Sequence, residues 1–461
     1  MAIAASDDPV AGQDPGAPRR HRRLGAGGRL IELLARATAA GQIFVIRLLA
    51  SPSRSATAFL VLTLALAPVA LAPRDQQIYV GMASAVPTLY NYTIAIVVAA
   101  VVMAVTAPRL FRTALAAWVP FIAWVATLTL LDWSPTELHL SGLLQLGLGI
   151  LAFAVGVVVE RLDRRDSLVP LAFAAVAWGQ LVAVGLAVAG MPLRTITGAQ
   201  AIDIQGRATG LTAHPGELSK LLFFCGVCAL VLPQRNRRER WLVWSTLGVV
   251  FLGVFLTQSR TILVAIIAMV GIYMLVEVVF GRWQRKHFAM LGLTVVLGLV
   301  SLPWLISRFA ADPTGGARGH VAAVALDAIS DHPVGVGPNG YVAVVGLVDR
   351  LTQTGVPVHN AFLLITAELG IAGGLAFWLP VGLVVFRSFG RTFRSRGRDV
   401  PARVVVAATP GIVLICMTGW GILQGPYFAI FLLVLGYFGA RAGSVGELET
   451  AWTEVDTDAR R

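Results

Sequence analysis

The chain has 461 residues, of which 56% are hydrophobic and 13% charged, and its mean hydropathy is +0.75. That is more apolar surface than one water-soluble core can hide, so composition excludes a soluble enzyme and a soluble nucleic-acid-binding domain. The formal charge of +12 comes mainly from arginines set between apolar runs, and it calls for no nucleic-acid partner.

In chain order, the first 55 residues open with a Pro-, Gly- and Asp-containing stretch that reads as disordered, without a cleavable signal peptide. RRHRR (Arg19 to Arg23) and an amphipathic stretch from Arg29 to Arg47 follow, and both suit the anionic inner leaflet of a membrane. From residue 56 to residue 440, apolar runs recur that can each cross about 30 Å of hydrocarbon with roughly 20 residues. Twelve are read, near 56–73, 88–107, 113–131, 140–159, 168–190, 216–232, 241–257, 260–280, 287–307, 360–386, 402–420 and 422–440. The expected fold is therefore all-α, a polytopic membrane protein of about 12 transmembrane helices, with a large exterior loop (308–359) between the ninth and tenth spans. Residues 1–55 form a basic cytoplasmic segment in this reading, 56–440 the membrane domain and 441–461 a cytoplasmic tail.

Orientation follows from the arginines. With the N-terminus inside, the inside loops carry eighteen basic residues, among them Arg109, Arg161, Arg235, Arg282, Arg391 and Arg403. The outside carries seven: Arg74, Arg194, Arg207, Arg260, Arg308, Arg318 and Arg350. The positive-inside rule then places both termini in the cytoplasm. Cys225 and Cys228 form a CxxC, but inside an apolar helix without companion ligands they read as packing residues, as does Cys416. The acceptor triplet Asn91 to Thr93 abuts a span and carries no weight.

The exterior face holds the polar residues that chemistry could use. Two loops there are long, from about Met191 to Pro215 and from about Arg308 to His359, and long loops between tightly joined helices are more often functional than decorative. Within the second, Val321, Val324, Ala325 and Ala328 have helical spacing over His320 to Asp331. HPVGVGPNGY, from His332 to Tyr341, then carries enough Pro and Gly to force a tight reversal.

Each candidate has a plain structural reading beside the functional one. Arg260 opens a span after Ser259, either as an interfacial arginine reaching water or as an anion-binding group. Arg207, in GRATG, either solubilises a loop or binds an anion. His359 either caps a helix start or acts as a base with a pKa near neutrality. Glu217 and Lys220, three apart at one helix start, read as neutralising one another. Glu368 lies inside a span, so its carboxylate must find a partner, to orient a polar group or to carry a proton.

The stretch HNAFLLITAELGIAGG contains His359, Asn360, Gly370 and Gly373. Together with GRATGLTAHPGELSK around Arg207, LTQSRTIL around Arg260 and the HPVGVGPNGY turn beginning at His332, it resembles the O-antigen ligase and polysaccharide polymerase superfamily of bacterial envelope glycosyltransferases. The resemblance extends from about Leu140 to Ala440. It implies a GT-C-like enzyme of the bacterial inner membrane with its active site facing outside. The donor would be an undecaprenyl diphosphate-linked oligo- or polysaccharide, and the acceptor a glycan, lipid or protein hydroxyl. No nucleotide, metal or other cofactor is implied. In that scheme His359 is the general base, Arg207 and Arg260 bind the diphosphate, and Asn360, Glu368, His332, Gly370 and Gly373 support the site. Ligases and polymerases share these motifs, and a polymerase of exported polysaccharide is slightly favoured. A transporter or flippase is the third reading, disfavoured because no internal repeat is found and the charged candidates gather at one face.

Overall fold

The structure, a computed structural model, describes residues 51–66, 90–131, 137–162, 167–191, 206–212, 214–282, 285–311, 317–419, 421–423 and 425–442. The basic N-terminal segment, most of the 191–215 loop and the tail beyond 442 lie outside the described residues.

The described chain is helical. In order the helices are α1 (Pro52–Leu66), α2 (Asn91–Thr106), α3 (Pro108–Ala116), α4 (Val119–Leu131), α5 (Glu137–Leu162), α6 (Leu168–Val188), α7 (Pro215–Ala229) and α8 (Arg237–Thr257). They continue with α9 (Arg260–Val279), α10 (Arg285–Ala311), α11 (Arg318–Asp331), α12 (Tyr341–Val345), α13 (Arg350–Gln353), α14 (Ala361–Arg394), α15 (Val400–Thr418) and α16 (Gly425–Ala442). Among the described residues, six of these are long and apolar enough to cross a membrane, or seven if α2 and α3 count as one bent span. The helices at the other expected spans are mostly shorter, as with the 15 residues of α7. The run expected at 113–131 is divided. Pro108 starts α3 at 118° to α2, and α3 buries Phe111 and Ala114 while Arg109 and Arg112 face out.

The most extensive helix pair is α5 with α16. A Cβ on Gly156 would lie 2.2 Å from the Leu433 carbonyl oxygen, and one on Gly436 would lie 2.2 Å from that of Phe153. Small residues thus let two backbones touch, the usual route to tight packing where lipid offers no hydrophobic driving force. Trp118, Phe121, Phe153, Phe377 and Phe428 fill the adjoining space with mostly edge-on ring contacts.

At the end of α9 the chain holds a buried ionic knot. Arg403 pairs with Glu277, donates to the Tyr273 hydroxyl at 2.9 Å and to the Gly397 carbonyl at 2.8 Å, and both charged groups are buried. Arg391 pairs with Asp399, whose carboxylate also caps α15. Two arginines counted from sequence as loop charge are therefore bound into the bundle, Arg403 entirely so. Removing Glu277 would strand the buried Arg403 charge, whereas Glu277 also pairs with Arg282 at 3.5 Å.

The spacing over 320–331 forms α11, with Val321, Ala325 and Ala328 buried as expected. Behind it, His320 Nε2 and Asp349 Oδ1 lie 2.7 Å apart, and Asp349 Oδ2 accepts from the Thr352 amide and hydroxyl. These bonds hold the Asp349 carboxyl down to about 2. A depressed carboxylate contributes stability above its ordinary pKa of 3.8 and loses it as pH falls from there towards 2. Asp349→Ala is expected to speed hydrogen exchange at the Thr352 amide by about fivefold or more at neutral pH. In the unsubstituted protein the same acceleration is expected only on acidification through that window. Unchanged exchange in the variant would show that the clasp does not hold α13.

Candidate functional site

The apolar run after Asn360 does not continue as one straight helix. Asn360 starts it well, because its Oδ1 accepts from the amides of Phe362 at 2.9 Å and Leu363 at 3.2 Å. At Gly370, φ is 74° and ψ 174°, which breaks the helix. The Phe362 and Trp378 rings nevertheless lie 4.6 Å apart, whereas a straight helix would separate those residues by about 24 Å. Residues 361–369 therefore double back along the segment that follows. The expected span 360–386 is corrected accordingly: residues 371–394, about 36 Å of helix, suffice to cross the membrane, and 361–369 form an arm folded back on them that carries His359 at its start.

The break frees backbone groups, and the 332–341 turn collects them. Val336 N–H donates to the Ala367 carbonyl at 3.0 Å, Gly337 N–H to Glu368 at 2.8 Å, and Ile371 N–H to Pro333 at 3.1 Å. Trp124 Nε1 donates to the remaining Leu369 carbonyl at 2.9 Å. Glu368 is buried and turns its carboxylate to the backbone N–H groups of Asn339 and Tyr341, so its partner is the main chain of the turn. The two glycines of the motif have different uses. A Cβ on Gly370 would lie 2.5 Å from the Val334 carbonyl group, in a conformation that only glycine adopts readily, while one on Gly373 would lie 2.6 Å from Trp124 Nε1. His332 ends α11 and anchors the turn through its carbonyl, which accepts from Gly335 N–H at 2.8 Å, and its side chain is exposed.

His359, at the start of the arm, is half-buried, and its Nδ1 is enclosed without a hydrogen-bond partner among the described residues. Burial pushes the ring below its ordinary pKa of 6.5, the charges of Arg318 and Lys220 push the same way, and a hydrogen bond at Pro357 opposes them. The neutral imidazole, the form that accepts a proton, therefore prevails at neutral pH.

The arginines occupy a second pair of elements. Arg207 Nε donates to the Thr257 carbonyl at 2.8 Å and Nη2 to Gln258 at 3.5 Å, while Ala208 N–H donates to Leu256. Arg207 thus sits on the carbonyl end of α8, where a cation is favoured, and Arg260 opens α9 directly after the same turn. His214 caps α7 by accepting the Gly216 amide on Nδ1 at 2.9 Å. Desolvation, then Lys220, then Arg207 lower His214 to about 4. The charge of Lys220 is thus felt at His214 beside Arg207 and at His359 beside Arg318. Sequence reasoning had set Lys220 aside as half of a local pair. The available signal was a lysine inside an apolar helix, a costly placement without an anionic partner.

Beneath the arm lies an apolar cavity of about 260 Å³ between α7, α14, α15 and α16, lined by Phe224, Phe362, Trp378, Cys416, Phe431 and Phe438 among others. The described chain is thus a multi-pass helical membrane protein in which Arg207 and Arg260 share the α8–α9 turn and His359 starts the folded-back arm. Residues 245–378 match the family model described as O-antigen ligase, so the chain carries a domain of the O-antigen ligase and Wzy superfamily. That match takes in Arg260, the turn, His359, Gly370 and Gly373, and begins after Arg207. No curated protein matches the chain. The match supports a membrane glycosyltransferase of the O-antigen ligase and polymerase type.

Proposed function

We propose that the chain transfers a glycan from an undecaprenyl diphosphate carrier to an acceptor hydroxyl at the outer face of the bacterial cytoplasmic membrane, as a polysaccharide polymerase. The observation that carries this reading is the neutral His359 at the start of an arm folded back at Gly370, where it feels the charges of Arg318 and Lys220. His359 takes the proton of the acceptor hydroxyl as its oxygen bonds the anomeric carbon. The bond from that carbon to the diphosphate breaks, and its electron pair leaves with the diphosphate. In-line displacement of this kind inverts the anomeric centre. Arg207 and Arg260 stabilise the charge that develops on the leaving group, since guanidinium stays charged and grips phosphate oxygens in a fork. No metal or other cofactor enters the scheme. The apolar cavity beside Phe362 suits part of an isoprenoid chain. Both termini then lie in the cytoplasm, as the arginine distribution requires.

Deleting the gene and resolving the surface glycan by size tests the assignment. A polymerase leaves single repeats still reaching the acceptor. Long chains accumulating on the lipid carrier would make the protein a ligase instead, and lipid-linked precursor held on the inner leaflet would overturn both readings in favour of a flippase. Arg260→Lys keeps the charge and loses the fork, so transfer is expected to fall by on the order of tenfold or more. Full activity in that variant would leave Arg260 as a helix anchor only.

A further inference from the structure

Gln180 lies in the body of α6, about 12 Å of helix short of Val188 at its end. It is buried, and its carboxamide reaches sideways into the GRATG segment, where Oε1 accepts the Leu211 amide at 2.9 Å. Gly210 makes room for that reach, since its φ is 56° and a Cβ there would lie 2.4 Å from Gln180 Oε1. The same segment is bound on its other side to the end of α8, through Arg207 Nε on the Thr257 carbonyl and Ala208 N–H on that of Leu256. We infer that Gln180 is a positioning residue for the leaving diphosphate, fixing from α6 the loop that carries Arg207. This rests on the donor and on the role of Arg207 proposed above.

A side chain can set an arginine a few residues away only if the backbone between them is stiff. Thr212 places both its amide, at 3.0 Å, and its hydroxyl, at 2.7 Å, on the Thr209 carbonyl, which closes residues 209–212 into a turn. Thr209, Gly210 and Thr212 are buried, so that turn has little room to shift. Gln180 binds inside it and Arg207 lies just before it, so a displacement at Leu211 carries through to the guanidinium. Irregular backbone enclosed among apolar helices must have its N–H groups paired, and the Leu211 amide finds its partner in Gln180. A glutamine inside an apolar helix costs desolvation that a leucine would not, and the bond to the loop offsets part of it. Neither the matched residues 245–378 nor the motifs read from sequence include Gln180.

The test measures farnesyl diphosphate binding and melting temperature for the full-length protein in detergent, across Gln180→Met, Arg207→Met and the two combined. Met has the length of Gln without a strong acceptor, so Gln180→Met is expected to weaken binding about fivefold or more, and Arg207→Met about tenfold or more. In the combined variant the change at 180 should cost less than about twofold beyond Arg207→Met, because a residue that acts through Arg207 has nothing left to position. A glutamine that only supports the bundle would lower the melting temperature and repeat its full loss of binding on the Arg207→Met background, which would overturn the inference. Should Gln180→Met fail to fold, Gln180→Asn decides, since it keeps the amide and shortens its reach. The same coupling to Arg207 is expected there, and full binding, or a second failure to fold, would leave Gln180 as a core residue and sink the idea. If Gln180→Met binds normally while Arg207→Met does not, the inference fails and the donor assignment stands. If Arg207→Met binds as well as the unsubstituted protein, or the latter does not bind farnesyl diphosphate, the reading of the donor site fails and takes the inference with it.

Discussion

Replacing His359 with alanine is expected to reduce glycan transfer by about 100-fold or more at unchanged protein level, the usual contribution of a positioned general base. The side chain is half-buried, and the bond it makes at Pro357 lies in the loop before the arm. Asn360 rather than His359 caps the arm, so the variant should fold and dock normally. The sign of the pH dependence follows from the environment. Burial and the charges of Arg318 and Lys220 keep the ring below 6.5, and a base works only when deprotonated, so activity should persist at neutral pH and fall on an acid limb below pH 6.5. Transfer measured in membranes across pH, with the unsubstituted protein beside His359→Ala, checks both points. Polymer output equal to that of the unsubstituted protein would remove His359 from the chemistry.

The second large effect is expected from Gly370→Ala, well away from any reacting atom. Two costs combine there. At φ 74° and ψ 174° an alanine is strained by about 1–3 kcal/mol, and its Cβ would meet the Val334 carbonyl group at 2.5 Å. Relief requires the 332–341 turn to withdraw, which breaks the bonds from Val336, Gly337 and Ile371 that fix the arm. A shift of about 1 Å at the base can cost about 100-fold in rate, so transfer should fall about as far as in His359→Ala. The melting temperature should fall as well, and that loss separates the two variants. Gly335→Ala should behave alike, because its Cβ would lie 2.4 Å from the Gly370 amide. An active, fully stable Gly370→Ala would mean that the fold-back does not depend on this glycine.

Much of this was legible in the sequence, and the parts that were not share a cause. The α11 helix announces itself because Val321, Ala325 and Ala328 recur at the period of a buried face. Asn360 likewise marks a helix start by its chemistry. The break at Gly370 is invisible to such reasoning, since hydropathy continues through it and glycine is common in membrane helices. What opens the helix there is a turn some thirty residues earlier in the chain, a tertiary partner that no local pattern encodes. Lys220 was missed for a related reason. Glu217 offered a satisfying neighbour three residues away, while Tyr427 and Gly421 come from the far end of the sequence. Arg403 looked like any other arginine beside a span, and only the fold brings Glu277 and Tyr273 against it.

The turn grips the arm through main-chain atoms, and that leaves its outward side chains free of duty. His332 and Val334 are exposed, and the bonds that grip the arm come from the main-chain groups of Pro333, Val336 and Gly337. Positions 332 and 334 are therefore open to substitution while Gly335, Gly337 and Gly370 keep the underlying geometry. A library randomised at 332 and 334 should fold as the unsubstituted protein does, in contrast to one randomised at 335 and 370.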